Sequence, residues 1–168
     1  ASFAFSLNCR PDGNGTMSLI ASDNSSRRNW QFRTTSSGST TIILWNSSGS
    51  LFIGTSGSLN TISTTQNNKI DFTFDGSNYR TYINGALDIN VSNSTLTRND
   101  AGVDAFVGSR QSSGSDKFDG EIFDAEVWSN STKSSDYISP EYDNQSAPSS
   151  FWTTGTPENT GGGAPTYT

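Results

Sequence analysis

The sequence predicts an all-β domain in which two antiparallel sheets pack face to face. Apolar residues alternate with polar ones along most of the chain, which is the pattern of strands that bury one face. Turn-forming residues recur every few positions, and no eleven-residue window holds a sustained helical repeat. About ten short strands joined in this way are typical of a β-sandwich or a barrel, and stripes that are apolar on one face and polar on the other favour the sandwich. A length of 168 residues suits a single core.

The first half of the chain contains five predicted strands. Phe3, Phe5 and Leu7 alternate on one face of the first strand, and the turn-rich stretch RPDGNGT at 10–16 follows as a hairpin loop. TTIILW at 40–45 is a continuous apolar run, as expected for a central strand. The second to fifth strands are predicted at 17–22, 29–33, 40–45 and 50–54.

The second half of the chain continues the same pattern. Ile70, Phe72 and Phe74 alternate before a turn at 75–78, and the Asn-Gly pair at 84–85 predicts a tight hairpin turn. Together with the alternation of the flanking residues, these turns predict strands at 70–74, 79–83, 86–91, 103–107 and 121–128.

The C-terminal part of the chain differs in composition. The segment before the tail has room for one helical turn, which Pro140 limits. Ser, Thr, Pro and Gly then dominate, as in a linker or a tail that orders against a partner. We therefore predict a β-sandwich domain over 1–143 and a tail over 144–168. Phe151 and Trp152 are adjacent aromatic residues in this tail, and we expect them to contact a partner.

Composition and charge exclude several classes of protein. The net charge is −6, whereas a protein that binds nucleic acid normally presents a basic surface, so we expect no nucleic-acid partner. No apolar run is long enough to span a membrane, so we expect no membrane insertion. The chain has no His, which removes the usual base of a Ser or Cys triad and the commonest zinc ligand. Cys9 is a single cysteine, so no internal disulfide can form.

Three segments together resemble a known family. They are KIDFTFDGSNYRTYINGALDIN at 69–90, AFVGSR at 105–110 and FDGEIFDAEVWSN at 118–130. Over residues 2–132 the chain resembles the laminin-G-like branch of the concanavalin A-like lectin/glucanase jelly rolls. The resemblance implies a jelly-roll sandwich that holds ligands with its loops and outer surfaces.

The chain departs from this family at one sheet edge. Family members usually have a further strand before the first one predicted here, next to the terminal strand. We expect that edge to be filled by the tail around 149–154 or by a neighbouring subunit, because an unpaired edge strand favours association.

Three carboxylates in the last predicted strand raise the question of catalysis. Retaining glucanases of this fold carry two glutamates and an aspartate on one strand face, with nucleophile and acid ~5 Å apart. Here Asp124 and Glu126 share a face, but strict alternation places Glu121 on the opposite face unless a bulge intervenes. The segment aligns better with a non-catalytic closing strand in which Ile122 and Val127 are apolar positions. We therefore expect a protein that is not an enzyme.

Candidate ligand contacts come from loops and aromatic residues. The resemblance implies calcium as a cofactor held by loop oxygens, with Asp23, Asp116 and Asp119 as candidate ligands, although ordinary turn capping explains these residues equally well. Aromatic rings beside hydrogen-bonding groups are suited to sugars, and the alternative for such rings is core packing. The candidate glycan contacts are Tyr79, Arg80, Tyr82, Arg110 and Trp128.

These observations favour a non-catalytic surface module that adheres to host glycans. Its composition suggests a virion structural protein, such as a capsid decoration, fibre or tail tip, with an extracellular or virion-surface location. Expected partners are a cell-surface glycan or polysaccharide and neighbouring structural subunits, in a homo-oligomer or a particle. The alternatives are a purely structural cementing protein and a glucanase-type glycoside hydrolase.

Overall fold

A computed structural model describes residues 2–23, 28–45, 48, 50–57, 59–92, 102, 104–110, 116–129 and 131–151. Strands dominate the described residues, and two short helices follow them. The strands are β1 (Phe3–Pro11), β2 (Ser18–Asp23), β3 (Arg28–Thr34), β4 (Thr40–Trp45), β5 (Leu51–Ser56), β6 (Asn68–Phe74), β7 (Asn78–Ile83), β8 (Ala86–Ser92), β9 (Phe106–Val107) and β10 (Gly120–Ser129). The helices are α1 (Ser135–Ser146) and α2 (Pro148–Phe151).

The strands form two antiparallel sheets of five strands each. Sheet A has the order β10-β1-β6-β7-β8, and sheet B has the order β5-β4-β3-β2-β9. Apolar residues at alternate positions of each sheet point toward the other sheet, which gives a two-layer sandwich. The predicted all-β fold is therefore confirmed.

Aromatic rings fill the middle of the core. Phe5 of β1 stacks on Phe72 of β6 with centroids 5.0 Å apart, and it meets Phe32 of β3 at 5.2 Å across the sandwich. Each ring is at most 3% exposed. Full burial of such a side chain stabilises the fold by roughly 1.5–3 kcal/mol, so this cluster is a major part of what holds the sheets together.

A tight turn between β7 and β8 lies beneath α1. Asn84 and Gly85 have φ angles of 53° and 77°, the left-handed conformation that a two-residue hairpin turn requires. A Cβ atom on Gly85 would lie 3.3 Å from Tyr142, so the helix passes close over this turn. The predicted Asn-Gly turn is confirmed. Because Gly85 has no side chain, α1 can pass this close to the turn.

The helix α1 is longer than the single turn that the sequence suggested. It has 12 residues with Pro140 inside it, and Pro140 removes one backbone hydrogen bond. Ile138 is fully buried, and the segment docks on sheet A through the ion pairs described below, which compensates for the weak local propensity. Since α1 continues to Ser146, it crosses the predicted domain boundary after 143. Among the described residues, neither helix is long and apolar enough to cross a membrane.

Two sheet edges differ from the prediction. The strand expected over 103–107 is limited to Phe106–Val107 among the described residues, because Asp104 and Ala105 lie outside any strand. At the edge of sheet A, β10 pairs with β1 and with no other described strand. Residues 149–151 belong to α2 and do not extend the sheet, so that part of the tail hypothesis is wrong, and 152–154 lie outside the described residues.

Candidate functional site

A β-bulge in β10 determines where its carboxylates point. Asn8 of β1 lies opposite Asp124 and Cys9 lies opposite Ile122, so Phe123 is an extra residue without a partner. The register therefore brings Glu121, Asp124 and Glu126 opposite alternate residues of β1, which places all three on the outer face of sheet A. The bulge that strict alternation would need is present. Ile122, Ala125 and Val127 share the opposite face, as the apolar pattern indicated.

These carboxylates lie on an exposed strand, and the two glutamates have basic partners. Glu121 forms an ion pair with Arg10, and its side chain is 54% exposed. Glu126 lies 3.7 Å from Lys133 and is 46% exposed. A glycosidase pair needs one carboxyl group held protonated in a cleft beside the other. Glu121 and Glu126 instead lie about half-exposed on the strand, each beside a basic side chain.

The helix α1 is fixed to the outer face of sheet A by a buried ion cluster. Glu141 accepts hydrogen bonds from Lys133 Nζ at 2.8 Å and from Lys69 Nζ at 3.0 Å. Asp71 lies 3.8 Å from Lys69 Nζ and 3.7 Å from Lys133 Nζ. The Lys69 ammonium also donates to the Ser6 hydroxyl at 3.0 Å. Two lysines from distant parts of the chain thus share two carboxylates beneath the helix.

Burial and charge act oppositely on the two carboxylates of the cluster. Burial raises the pKa of the fully buried Asp71 carboxyl above its ordinary value, although Lys69, Ser6 and Lys133 oppose the shift. Burial also acts to raise the pKa of Glu141, but hydrogen bonds from Lys133 and Lys69 outweigh it and lower that pKa. The two lysines therefore stabilise the charged form of Glu141, and the Glu141 carboxylate in turn fixes the two ammonium groups.

A cavity of about 270 Å³ opens beside this cluster, between the bulge of β10 and the C-terminal end of α1. Phe123, the extra residue of the bulge, is 51% exposed. Tyr142 lines the cavity from the helix, together with Gln145 in its last turn. The complete lining is Asn8, Asn67, Asn68, Lys69, Phe123, Tyr142, Gln145 and Ser146.

The polar groups of the cavity fall into two sets. Asn68 is used by the fold, since its side chain accepts from Ser63 N and donates to the carbonyl oxygens of Cys9, Ser63 and Gln66. In contrast, the side-chain amides of Asn8, Asn67 and Gln145 make no hydrogen bond within the part of the chain that the structure describes. Each amide can both donate and accept, so three such groups and two rings surround the cavity with hydrogen-bonding capacity still available.

Two of the predicted glycan contacts are buried, and that prediction is wrong for them. Tyr79 is 0% exposed and stacks on Phe74 inside the core at 4.1 Å between centroids. Tyr82 points to the outer face but is only 6% exposed, and burial raises the pKa of its hydroxyl. Alternation along β7 places Tyr79 inside and Tyr82 outside.

The other three predicted contacts lie apart from the cavity. Arg80 pairs with Asp75 at 2.6 Å. Burial acts to raise the pKa of Asp75, but Arg80 and the amides of the following turn hold it below its ordinary value. Arg110 pairs with Asp23 at 2.8 Å in sheet B. The Trp128 ring carries the Lys133 ammonium 3.9 Å from its centroid, a cation–π contact. None of the three lines the cavity, so the structure does not unite the predicted platform.

The candidate calcium ligands are also engaged by the protein. The Arg110 guanidinium reaches Asp23 at 2.8 Å and Asp116 at 3.8 Å, so a fixed cation already lies between these two carboxylates. Asp119 accepts from the backbone of Asp12 at 3.0 Å through its own carbonyl oxygen. Within the described ranges no three acidic, Cys or His side chains are grouped as a metal would need. Asp23, Asp116 and Asp119 are therefore not assembled into one site.

The predicted partner contacts cannot be placed. Phe151 ends α2, and its side chain lies outside the described features, as does the whole of Trp152. Sequence reasoning missed Phe123, Tyr142 and the amides of the cavity. The spacing of Ile122, Ala125 and Val127 was a signal for the bulge, since only an extra residue at 123 or 124 puts all three on one face.

A family model agrees with the β-sandwich fold. The model described as the concanavalin A-like lectin/glucanases superfamily, of the laminin G type, matches residues 1–138. The chain belongs to this superfamily. A comparison with curated proteins finds no match.

Solved structures share the same sandwich at low sequence identity. One is the CBM40 module of the Ruminococcus gnavus IT-sialidase bound to α2,3-sialyllactose, with a TM-score of 0.65 and 19% identity over 82% of this chain and 80% of that one. Another is domain 4 of AbnA, a GH43 extracellular arabinanase from Geobacillus stearothermophilus, in complex with arabinotriose, with a TM-score of 0.61 and 17% identity over 82% and 65%. The binding domain of Paraclostridial Mosquitocidal Protein 1 has a TM-score of 0.64 and 14% identity over 86% and 37%. At these identities the likeness establishes the fold alone.

Proposed function

We propose that this chain is a non-catalytic glycan-binding module and that the cavity between the β10 bulge and the end of α1 is its binding site. The observation that carries the proposal is the pairing of an exposed Phe123 ring with the unused amides of Asn8, Asn67 and Gln145 around one cavity. Relatives of the same fold whose structures hold sialyllactose or arabinotriose support a sugar as the ligand.

The chemistry of the cavity matches the two faces of a sugar ring. The C–H groups of a pyranose form an apolar face that packs on the exposed ring of Phe123, while its hydroxyls exchange hydrogen bonds with the amides. A cavity of about 270 Å³ is smaller than most sites for drug-sized ligands, which occupy ~300–1,000 Å³. We therefore expect it to hold one terminal sugar unit, with the rest of the glycan in solvent.

A site that contacts one sugar unit binds weakly, so attachment requires several copies. Linking such sites multiplies the apparent affinity by ~10²–10⁴ without any new contact. This favours an extracellular module that is displayed repeatedly on a surface or fused to other domains. Location on a virion is a prediction from composition, and none of the related structures favours it.

The test is binding of a glycan array by the purified chain, followed by calorimetry with the best ligand. Phe123→Ala and Gln145→Ala are expected to weaken binding at least about tenfold, because each removes a contact to the sugar. Val127→Ala is the matched control, since Val127 lies on the same strand, faces the other way and is 67% exposed. Equal affinity of Phe123→Ala and wild type would overturn the proposed site, and turnover of any bound saccharide would overturn the non-catalytic function.

A second candidate function is assembly through the edge of sheet A. β10 has no further strand partner among the described residues, and Ile122 and Val127 on its inner face are 37% and 67% exposed. An edge of this kind favours strand addition by another chain. If this edge forms an interface, Val127→Lys is expected to convert an oligomer to a monomer in sedimentation experiments while leaving single-site sugar affinity unchanged. A wild-type chain that is monomeric at all concentrations contradicts this candidate.

A further inference from the structure

The surroundings of the cavity are acidic, although its own lining is neutral apart from Lys69. Asp124 lies directly opposite Asn8 in the β1–β10 register, and Glu121 follows on the same outer face. Both side chains are exposed, and each lies within two positions of the lining residue Phe123, so the register sets them beside the rim of the cavity. An anionic ligand that entered the cavity would therefore approach at least one solvent-facing carboxylate.

The helix α1 adds to this effect. Gln145 and Ser146 line the cavity from its last turn, so the C-terminal end of the helix lies at the cavity. That end of a helix carries the equivalent of about half a negative charge, and basic side chains usually offset it. The 12 residues of α1 include Asp136, Glu141 and Asp143 but no Lys or Arg, so nothing within the helix offsets it.

Among the described residues, the strands that line the cavity carry two basic side chains, and both are already paired. The Lys69 ammonium is 3% exposed and is held by Glu141 at 3.0 Å and by Ser6 at 3.0 Å, so a ligand cannot reach it without breaking the cluster. Arg10 is paired with Glu121. A carboxylated or sulfated sugar would thus be desolvated without gaining a basic partner, which is costly for a charged group.

We propose that the site selects uncharged glycans and rejects those that carry a carboxylate or sulfate near the bound sugar. This inference rests on the proposed function and specifies its ligand class. It separates this chain from the Ruminococcus gnavus module, whose structure holds sialyllactose on the same fold. In this chain the selection would come from the rim carboxylates, since the sandwich itself is shared.

The experiment compares ligands that differ in charge but share a backbone. Calorimetric titrations use lactose against α2,3-sialyllactose, agarose oligosaccharides against κ-carrageenan oligosaccharides, and methyl-esterified against free oligogalacturonate. For each pair that gives binding, the neutral member is expected to bind at least about tenfold more tightly at low salt. The preference is expected to shrink as NaCl is raised, because salt screens exposed carboxylates.

Variants that neutralise a single carboxylate test whether the rim charges cause the preference for neutral ligands. Asp124→Asn and Glu121→Gln are each expected to reduce the preference for the neutral ligand by about threefold, since each removes one partly screened carboxylate from the rim. Asp104→Asn makes the same charge change near sheet B and is expected to leave the preference unchanged. Circular dichroism and thermal melts on each variant show whether it is folded.

The possible outcomes distinguish charge selection from the glycan binding on which it rests. Equal or tighter binding of the acidic members, with loss of that binding in Phe123→Ala, would overturn the charge selection and leave the glycan site standing. A neutral preference that neither Asp124→Asn nor Glu121→Gln changes would also overturn it. Absence of binding to every glycan on the array, neutral or acidic, would overturn both proposals.

Discussion

Neutralising Glu141 tests whether the buried ion cluster fixes α1 to the sandwich. Glu141 is 17% exposed and accepts from two ammonium groups at 2.8 and 3.0 Å. In Glu141→Gln the two lysines remain almost fully buried, with Asp71 and the half-exposed Glu126 as the acidic partners that are left. Removal of one partner from a buried pair costs ~3–5 kcal/mol, and the remaining carboxylates place this case at the lower end, about 3 kcal/mol.

That loss is a large share of a typical unfolding free energy of ~5–15 kcal/mol. For a chain of this size it corresponds to a decrease in melting temperature of about 6–12 °C. The assay is guanidinium unfolding with a calorimetric melt as a second probe. Asp143→Asn is the matched control, because Asp143 is exposed on the same helix and its neutralisation is expected to change stability by less than ~0.5 kcal/mol. If Glu141→Gln is no less stable than Asp143→Asn, the cluster does not hold the helix.

Three further predictions concern pH, packing and the buried thiol. The folded-state pKa of Glu141 is lowered, so the stability that this carboxylate contributes is present above its ordinary pKa of 4.5 and is lost as pH falls through the folded value. In acid titrations, the stability difference between wild type and Glu141→Gln is therefore expected to shrink in that range. A difference that stays constant would contradict this prediction. A Cβ atom on Gly57 would lie 1.8 Å from Asp88 Oδ2, whose carboxylate accepts from Thr40 at 2.6 Å and from the amide of Asn60 at 3.0 Å. Gly57→Ala is expected to cost about 2–3 kcal/mol in denaturant unfolding, against a near-neutral Gly13→Ala, where a Cβ meets no atom within 4 Å. Burial raises the pKa of the Cys9 thiol to about 12, and Cys9 is 0% exposed. Iodoacetamide is therefore expected to label the unfolded but not the native chain at pH 8. Rapid labelling of the native chain would show that this part of the core opens.

The strands could be predicted from the sequence because their signal is local. A strand with one buried face has a period of two, and Ile70, Phe72 and Phe74 show it directly. The Asn-Gly turn at 84–85 is equally local, since its φ angles demand those residue types. The approximate positions of most strands and the turn beneath α1 follow from patterns that each span only a few residues.

The helix and the cavity could not be predicted in this way, because both depend on distant residues. The local sequence of α1 has one buried apolar residue, Ile138, and an interior proline. Its stability comes from Lys69, 72 positions before Glu141 in the chain. The cavity in turn needs the bulge at Phe123 and the end of α1 together. Alternation along β7 is compatible with Tyr82 on the outer face, but it could not show that Tyr82 is buried there.

The most direct test of the central claim is an NMR titration of the ¹⁵N-labelled chain with the best neutral oligosaccharide from the array. We expect saturable shifts in the side-chain amide signals of Asn8, Asn67 and Gln145 and in the backbone signal of Phe123. Signals from Arg80 and Arg110 are expected to stay in place. Saturable shifts that cluster around those arginines or on the outer face of sheet B, with the three amides unchanged, would contradict the account.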